Sequence, residues 1–268
     1  MAIHLDKNVR EALKLNPEVH LQPIVGLDGI ESAIIDADII SHELCLYDLQ
    51  PPVIGGMNDD LIFSSRLDNL CSTWAALQGM LETDAPSGNT FVMLAMLDNE
   101  EVGSQSITGA DSSLVEGVLR RIVADEQRFL ALCDASLFIS ADMAHGAHPN
   151  YPEVHDELNR PLLGKGIVLK HRHNKRYATT SRTSALLKQL CFEANLPTQH
   201  FSPKNDIPCG TTIGPILSSK LRIECADVGI PQLSMHSIRE VCAVNDVLDY
   251  VKFFKTLVKG KLSAIDYA

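Results

Sequence analysis

The sequence predicts an α/β fold, a three-layer αβα sandwich in which helices cover both faces of a mostly parallel sheet. From about residue 59 onward, short apolar runs alternate with amphipathic segments, which is the pattern of a parallel sheet with helical crossovers. A length of 268 residues is enough for one large domain of this kind plus a small appendage. We therefore expect a main domain over 59–268 and a separate amino-terminal part over 1–58.

The amino-terminal part is expected to be β-rich. Its segments 19–25 and 43–49 alternate like half-exposed strands, and segment 50–56, which contains two prolines and two glycines, is typical of a linker or turn.

The main domain is expected to contain both buried strands and amphipathic helices. Short apolar runs predict strands at 61–63, 91–97, 135–139 and 226–230. Amphipathic segments between and after them predict helices at 69–81, 112–130, 184–194, 214–221 and 237–258.

Composition and charge exclude several classes of protein. The net charge of -11 argues against nonspecific binding to nucleic acid or to an anionic membrane. The longest apolar run, 91–97, is far shorter than the roughly 20 residues that cross a bilayer, and Met1 is followed by charged residues rather than by the core of a signal peptide. The seven cysteines form no Cys-x-x-Cys pair and are odd in number, which is typical of reduced thiols. We therefore expect a cytoplasmic protein.

A carboxylate or a histidine follows each predicted strand within a few residues. In chain order these candidates are Asp68, Glu100, Glu101, Asp142 and His236. Ligands of α/β proteins bind beyond the carboxyl ends of strands, and carboxylate oxygen with imidazole nitrogen suits Zn²⁺ or Mn²⁺. The alternatives are a solvated acidic turn for the glutamate pair, a helix N-cap for Asp68 and a helix N-terminal residue for His236.

Six motifs of this chain resemble, in order, those of the M18 family of metalloaminopeptidases, the aspartyl aminopeptidases. They lie at 66–69, 98–104, 140–145, 148–151, 205–216 and 235–240. The resemblance extends over essentially the whole chain. It implies a hydrolase that removes an amino-terminal residue, acidic in nature (Asp or Glu), from peptide substrates.

The resemblance also implies a site for two divalent ions. Zinc is the expected metal, with cobalt or manganese as alternatives. Asp68 would bridge both ions, Glu101 and His236 would complete one site, Asp142 would serve the other, and Glu100 would be the general base.

One part of the family pattern has no counterpart here. The resemblance implies a further metal-binding histidine in a His-x-Asp motif after an early strand, and this chain starts too late to contain it, so one metal site is expected to lack its histidine. His4 has the right spacing to Asp6 but is preceded by too few residues for a supporting strand. Its context resembles instead the inserted dimerisation domain of the family, from which a histidine reaches the substrate pocket of a neighbouring subunit. Segment 1–58 would then be a partial dimerisation domain, and 59–268 a catalytic domain without its first strands.

A basic segment at 160–176 stands out in this acidic chain and is expected to be mostly a solvated face. An acidic substrate nevertheless needs local positive charge. The resemblance points to Lys170 and Tyr177 as substrate-binding residues, with His4 from the partner. It also implies a homo-oligomer, which is a dodecamer in the family.

Two alternatives to an active peptidase are a truncated paralogue or gene fragment that acts only in assembly or regulation, and half of a split enzyme.

Overall fold

The computed structural model describes residues 13–27, 38–84, 86 and 90–260. The chain divides into two compact units, 1–47 and 48–268. The predicted domain boundary at residue 58 stays a prediction, although the first strand of the second unit lies before it.

The described part of the first unit contains one short helix, α1 (Pro17–His20). The Asn16 side chain caps it by accepting a hydrogen bond from the Glu18 amide at 3.0 Å. The strands predicted at 19–25 and 43–49 are wrong, because the first segment begins inside α1 and neither forms a ladder with any described residue. Alternation shows which face of a segment could be buried, but a strand also needs a neighbour to accept and donate its backbone hydrogen bonds.

The second unit is built from nine strands and six helices within the described residues. The strands are β1 (Val53–Gly55), β2 (Leu61–Ser64), β3 (Leu137–Ala141), β4 (Ala144–His145), β5 (Ile167–Lys170), β6 (Thr198–Phe201), β7 (Glu224–Gly229), β8 (Pro231–Leu233) and β9 (Glu240–Ala243). The helices are α2 (Leu67–Leu81), α3 (Leu114–Ile122), α4 (Glu126–Asp134), α5 (Ser181–Glu193), α6 (Ile213–Leu221) and α7 (Val244–Val258).

The strands form two mixed sheets. The four-stranded sheet has the order β3-β7-β5-β6, with β3/β7 and β5/β6 parallel and β5/β7 antiparallel. The five-stranded sheet has the order β1-β2-β9-β8-β4, in which only β4/β8 is parallel. The α/β class is therefore confirmed. The expected mostly parallel pairing holds in the four-stranded sheet, and the five-stranded sheet is mostly antiparallel.

Helices cover both faces of the four-stranded sheet at β3. Leu137 and Ile139 pack into a core that includes α2, α5 and α7, whereas Phe138 packs into a second core formed with α3, α4 and α6. Successive strand residues point to opposite faces, so these two cores lie on opposite sides of β3. This is the layered arrangement that the sequence predicted.

The chain passes from the four-stranded to the five-stranded sheet at two neighbouring points. The β3–β4 and β7–β8 connections run side by side, with the Asp142 amide donating to Val228 O and the Ala144 amide to Ile230 O, both at 2.9 Å. Gly229 permits this close approach, because a Cβ there would lie 2.0 Å from Asp142 O. Asp142 is thereby placed at the junction of the two sheets.

Two predicted helices differ from the structure. Segment 112–130 forms two helices, α3 and α4, and Asp125 caps the second by accepting from the Arg128 amide at 2.9 Å. Segment 237–258 begins with β9 and becomes helical only at Val244, so the interpretation of His236 as a helix N-terminal residue is wrong. The remaining predicted helices are present with small shifts in their ends.

The strand predicted at 91–97 is also wrong. This segment belongs to neither sheet and makes no backbone hydrogen bond to other described residues. Four of its side chains are 37–56% exposed, namely Phe91, Val92, Met93 and Met96. The apolar pattern correctly indicates a segment suited to burial, yet a strand exists only where a second strand pairs with it.

Among the helices that the structure describes, none has the length and apolar character required to span a bilayer.

Candidate metal centre

Asp68 lies just after β2, where the chain turns sharply before α2. Arg66 has a left-handed backbone with φ of 58°, and it, not Asp68, is the N-cap residue of α2. The N-cap alternative for Asp68 is therefore wrong. The backbone of Asp68 and Asn69 is not helical, and the peptide between them is cis. Asn69 Nδ2 donates to Ala141 O at 2.8 Å, which ties this turn to the end of β3.

Glu100 and Glu101 lie in a single 3-10 turn, Glu100–Val102. Residues with left-handed backbone flank the turn, Asn99 with φ of 60° and Gly103 with φ of 100°. The acidic pair is thus held in a tight turn, with Glu100 half-buried and Glu101 exposed.

His236 follows β8 and has a φ of 65°. Its Nε2 atom lies 3.0 Å from Asp68 Oδ2 and 3.1 Å from Glu101 Oε2. The three donor atoms lie within 4.8 Å of one another. A tetrahedral zinc ion with bonds of about 2.0–2.1 Å holds its ligands about 3.3 Å apart, so this donor set fits a zinc ion.

Glu240 is a residue of this centre whose role the sequence did not indicate. It is buried, and its carboxylate accepts hydrogen bonds from the Asp68 amide at 3.0 Å and from the His236 amide at 2.8 Å. One side chain of β9 therefore fixes the backbone of both residues. Its place at the end of the motif 235–240 and its spacing of four residues from His236 were the signals in the sequence, and neither identifies a positioning residue.

Asp142 is held by a different partner. Its Oδ2 atom forms an ion pair with Lys170 Nζ at 2.8 Å, and that ammonium also donates to Met143 O at 2.7 Å. Asp142 lies near Asp68 but is not part of the group formed by Asp68, Glu101 and His236. Among the described residues, this group of three is the only one with the geometry of a metal site.

The crowding of carboxylates perturbs two of them strongly. Burial raises the pKa of Asp68 well above its ordinary value, and the neighbouring charge of Asp142 raises it further. Burial also raises the pKa of Glu100 to about 7, with smaller contributions from Asp142 and Glu101. A bound cation would relieve this repulsion, and a carboxylate with a pKa near neutrality is suited to proton transfer.

Two of the predicted substrate-binding residues are buried and lie close to each other. Lys170 is 2% exposed, and its Nζ atom lies 5.5 Å from the centre of the Tyr177 ring. Tyr177 is buried and accepts a hydrogen bond from Cys209 Sγ at 3.3 Å, and burial raises the pKa of its hydroxyl. Their role in substrate binding stays a prediction. His4 lies outside the described residues.

Comparisons with known sequences identify the family to which the chain is similar. Residues 29–257 match the family model described as aminopeptidase I zinc metalloprotease (M18). The chain is 38% identical to a "Probable aspartyl aminopeptidase" of Ricinus communis over 95% of its length, and 37% identical to a "Probable M18 family aminopeptidase 2" of Pseudomonas entomophila over 97%. It spans 63% and 64% of the lengths of these two relatives.

Solved structures show the same similarity. The fold matches that in the cryo-EM structure of the Ape4 and Nbr1 complex with a TM-score of 0.83 and 30% identity, over 98% of this chain and 57% of the other. It matches the S. cerevisiae mApe1 dodecamer with a TM-score of 0.74 and 32% identity, over 81% and 50% of the two chains. The chain therefore belongs to the M18 family of zinc metalloproteases, the aminopeptidase I family.

Proposed function

We propose that this chain provides a zinc-binding centre for removal of an amino-terminal residue, acidic in nature, from peptides. The observation that carries the proposal is the convergence of Asp68, Glu101 and His236 on one point. Membership of the M18 family supports the reaction type. The chain spans less than two thirds of its relatives, so the activity of the whole protein is part of the proposal.

The proposed roles follow from the position of each side chain. Asp68, Glu101 and His236 hold zinc, which when bound supplies Lewis-acid chemistry at a peptide carbonyl and acidifies water. Glu100 takes a proton from the attacking water and delivers it to the leaving amine, because its half-buried carboxylate lies next to the proposed ligand Glu101 in the same turn. Glu240 orients the backbone of two of the ligands.

A second ion, as in the two-ion arrangement expected from the sequence, would need Asp142. The Lys170 ammonium pairs with that carboxylate, and no group of three donor atoms among the described residues includes Asp142, although Asp68 lies near it. We therefore expect one tightly held ion per chain, with a second site only if Lys170 moves away and another donor is supplied.

The proposed preference for an acidic first residue rests on two points. The Ricinus communis relative is named an aspartyl aminopeptidase, and the buried Lys170 brings a positive charge next to the centre. His4 of a neighbouring subunit is proposed to join the pocket. The dodecamer reported for S. cerevisiae mApe1 supports a homo-oligomer, and a cytoplasmic location is proposed for the chain.

A second candidate function is a noncatalytic subunit for assembly or regulation. The pairing of Asp142 with Lys170 favours it. It differs from the first candidate in one measurable respect, since it requires no turnover of any peptide.

Zinc titration of two matched variants tests the metal centre. We expect Glu101→Gln to weaken zinc binding by about tenfold or more, and Glu100→Gln to change it by less than about threefold. In any preparation with turnover of aspartyl or glutamyl substrates, Glu100→Gln should reduce kcat by about 10²–10⁴. Equal loss of zinc in both variants would contradict the assigned roles. Zinc binding without turnover would favour the noncatalytic subunit.

A further inference from the structure

A cavity of about 400 Å³ lies at the carboxyl ends of β5 and β6. His171 directly follows β5 and Ser202 directly follows β6, and both residues line the cavity. β5 is antiparallel to β7, whereas β3, which leads to Asp142, is parallel to β7. The cavity therefore lies at the edge of the four-stranded sheet opposite to Asp142, and it shares no lining residue with the candidate metal centre.

Helix α5 begins beside the same cavity. Its N-cap residue Thr180 and its first residue Ser181 both line the cavity. α5 connects the parallel strands β5 and β6, and α/β proteins bind ligands beyond the carboxyl ends of such strands. The amino terminus of a helix of 13 residues carries the positive end of the helix dipole, which favours an anion.

The ionisable side chains that line the cavity are all basic. Arg172 and Lys175 are cationic at neutral pH, His171 and His173 are imidazoles, and the remaining lining residues are threonines and serines. Within the part of the chain that the structure describes, none of these four basic side chains forms an ion pair with a carboxylate. In a chain with a net charge of -11, this cluster therefore lacks a counter-charge.

Arg172 shows the lack of a counter-charge most directly, because it is only 8% exposed. Its guanidinium donates to three backbone carbonyls, those of Pro203 at 2.6 Å, Lys204 at 2.9 Å and Ile207 at 3.3 Å. Its Nε atom has no hydrogen-bond partner among the described residues. Neutral carbonyls orient the guanidinium but leave its charge unbalanced, and a buried charge is costly without a counter-ion. An anion in the cavity would supply the missing charge.

The surroundings of His171 show the same excess of positive charge. The groups whose charges act on this imidazole are His200, Lys188 and Lys175, all of them basic. Burial and these charges lower the pKa of His171 to about 4. The backbone also holds the cations together, since the Lys175 amide donates to Arg172 O at 3.1 Å in a tight turn.

The chemistry of the lining favours a phosphoryl group as the anion. Guanidinium and ammonium groups, together with the start of a helix, bind the several oxygens of a phosphoryl group through charge-assisted hydrogen bonds. The volume of about 400 Å³ lies within the range of about 300–1,000 Å³ found for small-molecule sites. The cavity therefore has room for an organic part attached to the phosphoryl group.

We propose that this cavity binds a small molecule through its phosphoryl group, with Arg172 and Lys175 balancing the negative charge and the start of α5 facing the phosphoryl oxygens. The proposal concerns binding at the edge of the sheet away from Asp142. It does not depend on the proposed peptidase function, so the two can fail separately.

Calorimetric titration of the complete zinc-loaded chain with inorganic phosphate tests the proposal. We expect saturable binding of one phosphate per chain, weakened at least about threefold when sodium chloride is raised from about 50 mM to about 300 mM. Acetate should bind at least about tenfold more weakly than phosphate, because it carries less charge and fewer oxygens.

Matched lysine variants locate the bound phosphate. Lys175→Gln should weaken phosphate binding at least about threefold, whereas Lys252→Gln, at an exposed position of α7 that does not line the cavity, should change it less than about 1.5-fold. Glu101→Gln, in the metal centre, should also leave phosphate binding unchanged.

Arg172 is tested separately because it is buried. Arg172→Met should weaken phosphate binding at least about tenfold. If this variant does not fold, the double variant His173→Gln with Lys175→Gln, at two exposed positions, replaces it and should show a loss of about the same size.

Several results would overturn the proposal. The first is the absence of saturable phosphate binding, and the second is an equal affinity of Lys175→Gln and Lys252→Gln. Loss of binding with Glu101→Gln would place the phosphate at the metal centre. Acetate that binds as tightly as phosphate would replace the phosphoryl group by a carboxylate. A phosphoserine peptide that binds at least about tenfold more tightly than free phosphoserine would identify a protein as the ligand.

Discussion

Glu240 connects two residues of the candidate metal centre. Its buried carboxylate accepts from the amides of Asp68 and His236, which lie far apart in the sequence. We predict that Glu240→Gln weakens zinc binding about 10–100-fold, because an amide cannot accept both hydrogen bonds in the same way. Calorimetric titration measures this, with Glu224→Gln at an exposed position as the control. An unchanged zinc affinity with Glu240→Gln would show that the centre does not need this support.

His171 is predicted to make stability depend on pH. Burial, together with the nearby charges of His200 and Lys188, lowers the pKa of His171 to about 4. The unfolded chain therefore binds more protons than the folded one between about pH 6.5 and pH 4, so stability falls as the pH falls through this window. After allowance for solvent screening of this half-exposed ring, the loss is about 1–2 kcal/mol.

Urea unfolding at several pH values checks this prediction. His171→Gln should reduce the fall in stability between pH 6.5 and pH 4, whereas His173→Gln, at an exposed position, should leave it unchanged. The same pH dependence in all three proteins would assign the effect to other groups.

At the scale of elements, the contact between α2 and α7 depends on a glycine. A Cβ at Gly79 would lie 2.4 Å from Phe254 Cβ and 3.0 Å from the Lys255 amide nitrogen, so Gly79→Ala must push the helices apart. We predict that this change destabilises the fold by about 1–3 kcal/mol. Gly117→Ala in α3 is the control, because its Cβ would meet nothing within 4 Å. It should stabilise the protein by about 0.5–1 kcal/mol through helix propensity.

The free energies of unfolding from urea titrations distinguish these two helical glycines. Destabilisation by Gly79→Ala together with stabilisation by Gly117→Ala would confirm that α2 and α7 are in close contact. Stabilisation of the same size by both changes would mean that α2 and α7 can move apart without a cost in the free energy of folding.

At the scale of the whole molecule, the second unit is predicted to fold without the first. All residues of the candidate metal centre and all described core clusters lie within 48–268. We therefore expect residues 48–268 alone to retain the zinc affinity of the complete chain, with a Tm changed by less than about 4 °C. Thermal unfolding with and without zinc measures both quantities. Loss of zinc binding on removal of 1–47 would show that the first unit is needed to form the centre.

The α/β class, most helices and the nearness of Asp68, Glu101 and His236 could be predicted from the sequence alone. These features follow from local information, because apolar periodicity marks burial and each of these residues belongs to a motif of the family. Their roles as metal ligands stay predictions, as do those of Glu100, Asp142 and the substrate-binding residues.

The pairing of the strands and of several polar groups could not be predicted from the sequence and is seen only in the fold. The chain changes sheets after β3 and after β7, the segment 91–97 has no described partner, and Lys170 pairs with Asp142. Each of these depends on residues distant in the sequence, since a strand is completed by its neighbour and a buried charge by its counter-ion. A pattern along the chain reports what a segment can bury, whereas the hydrogen-bond and charge partners are supplied by the rest of the fold.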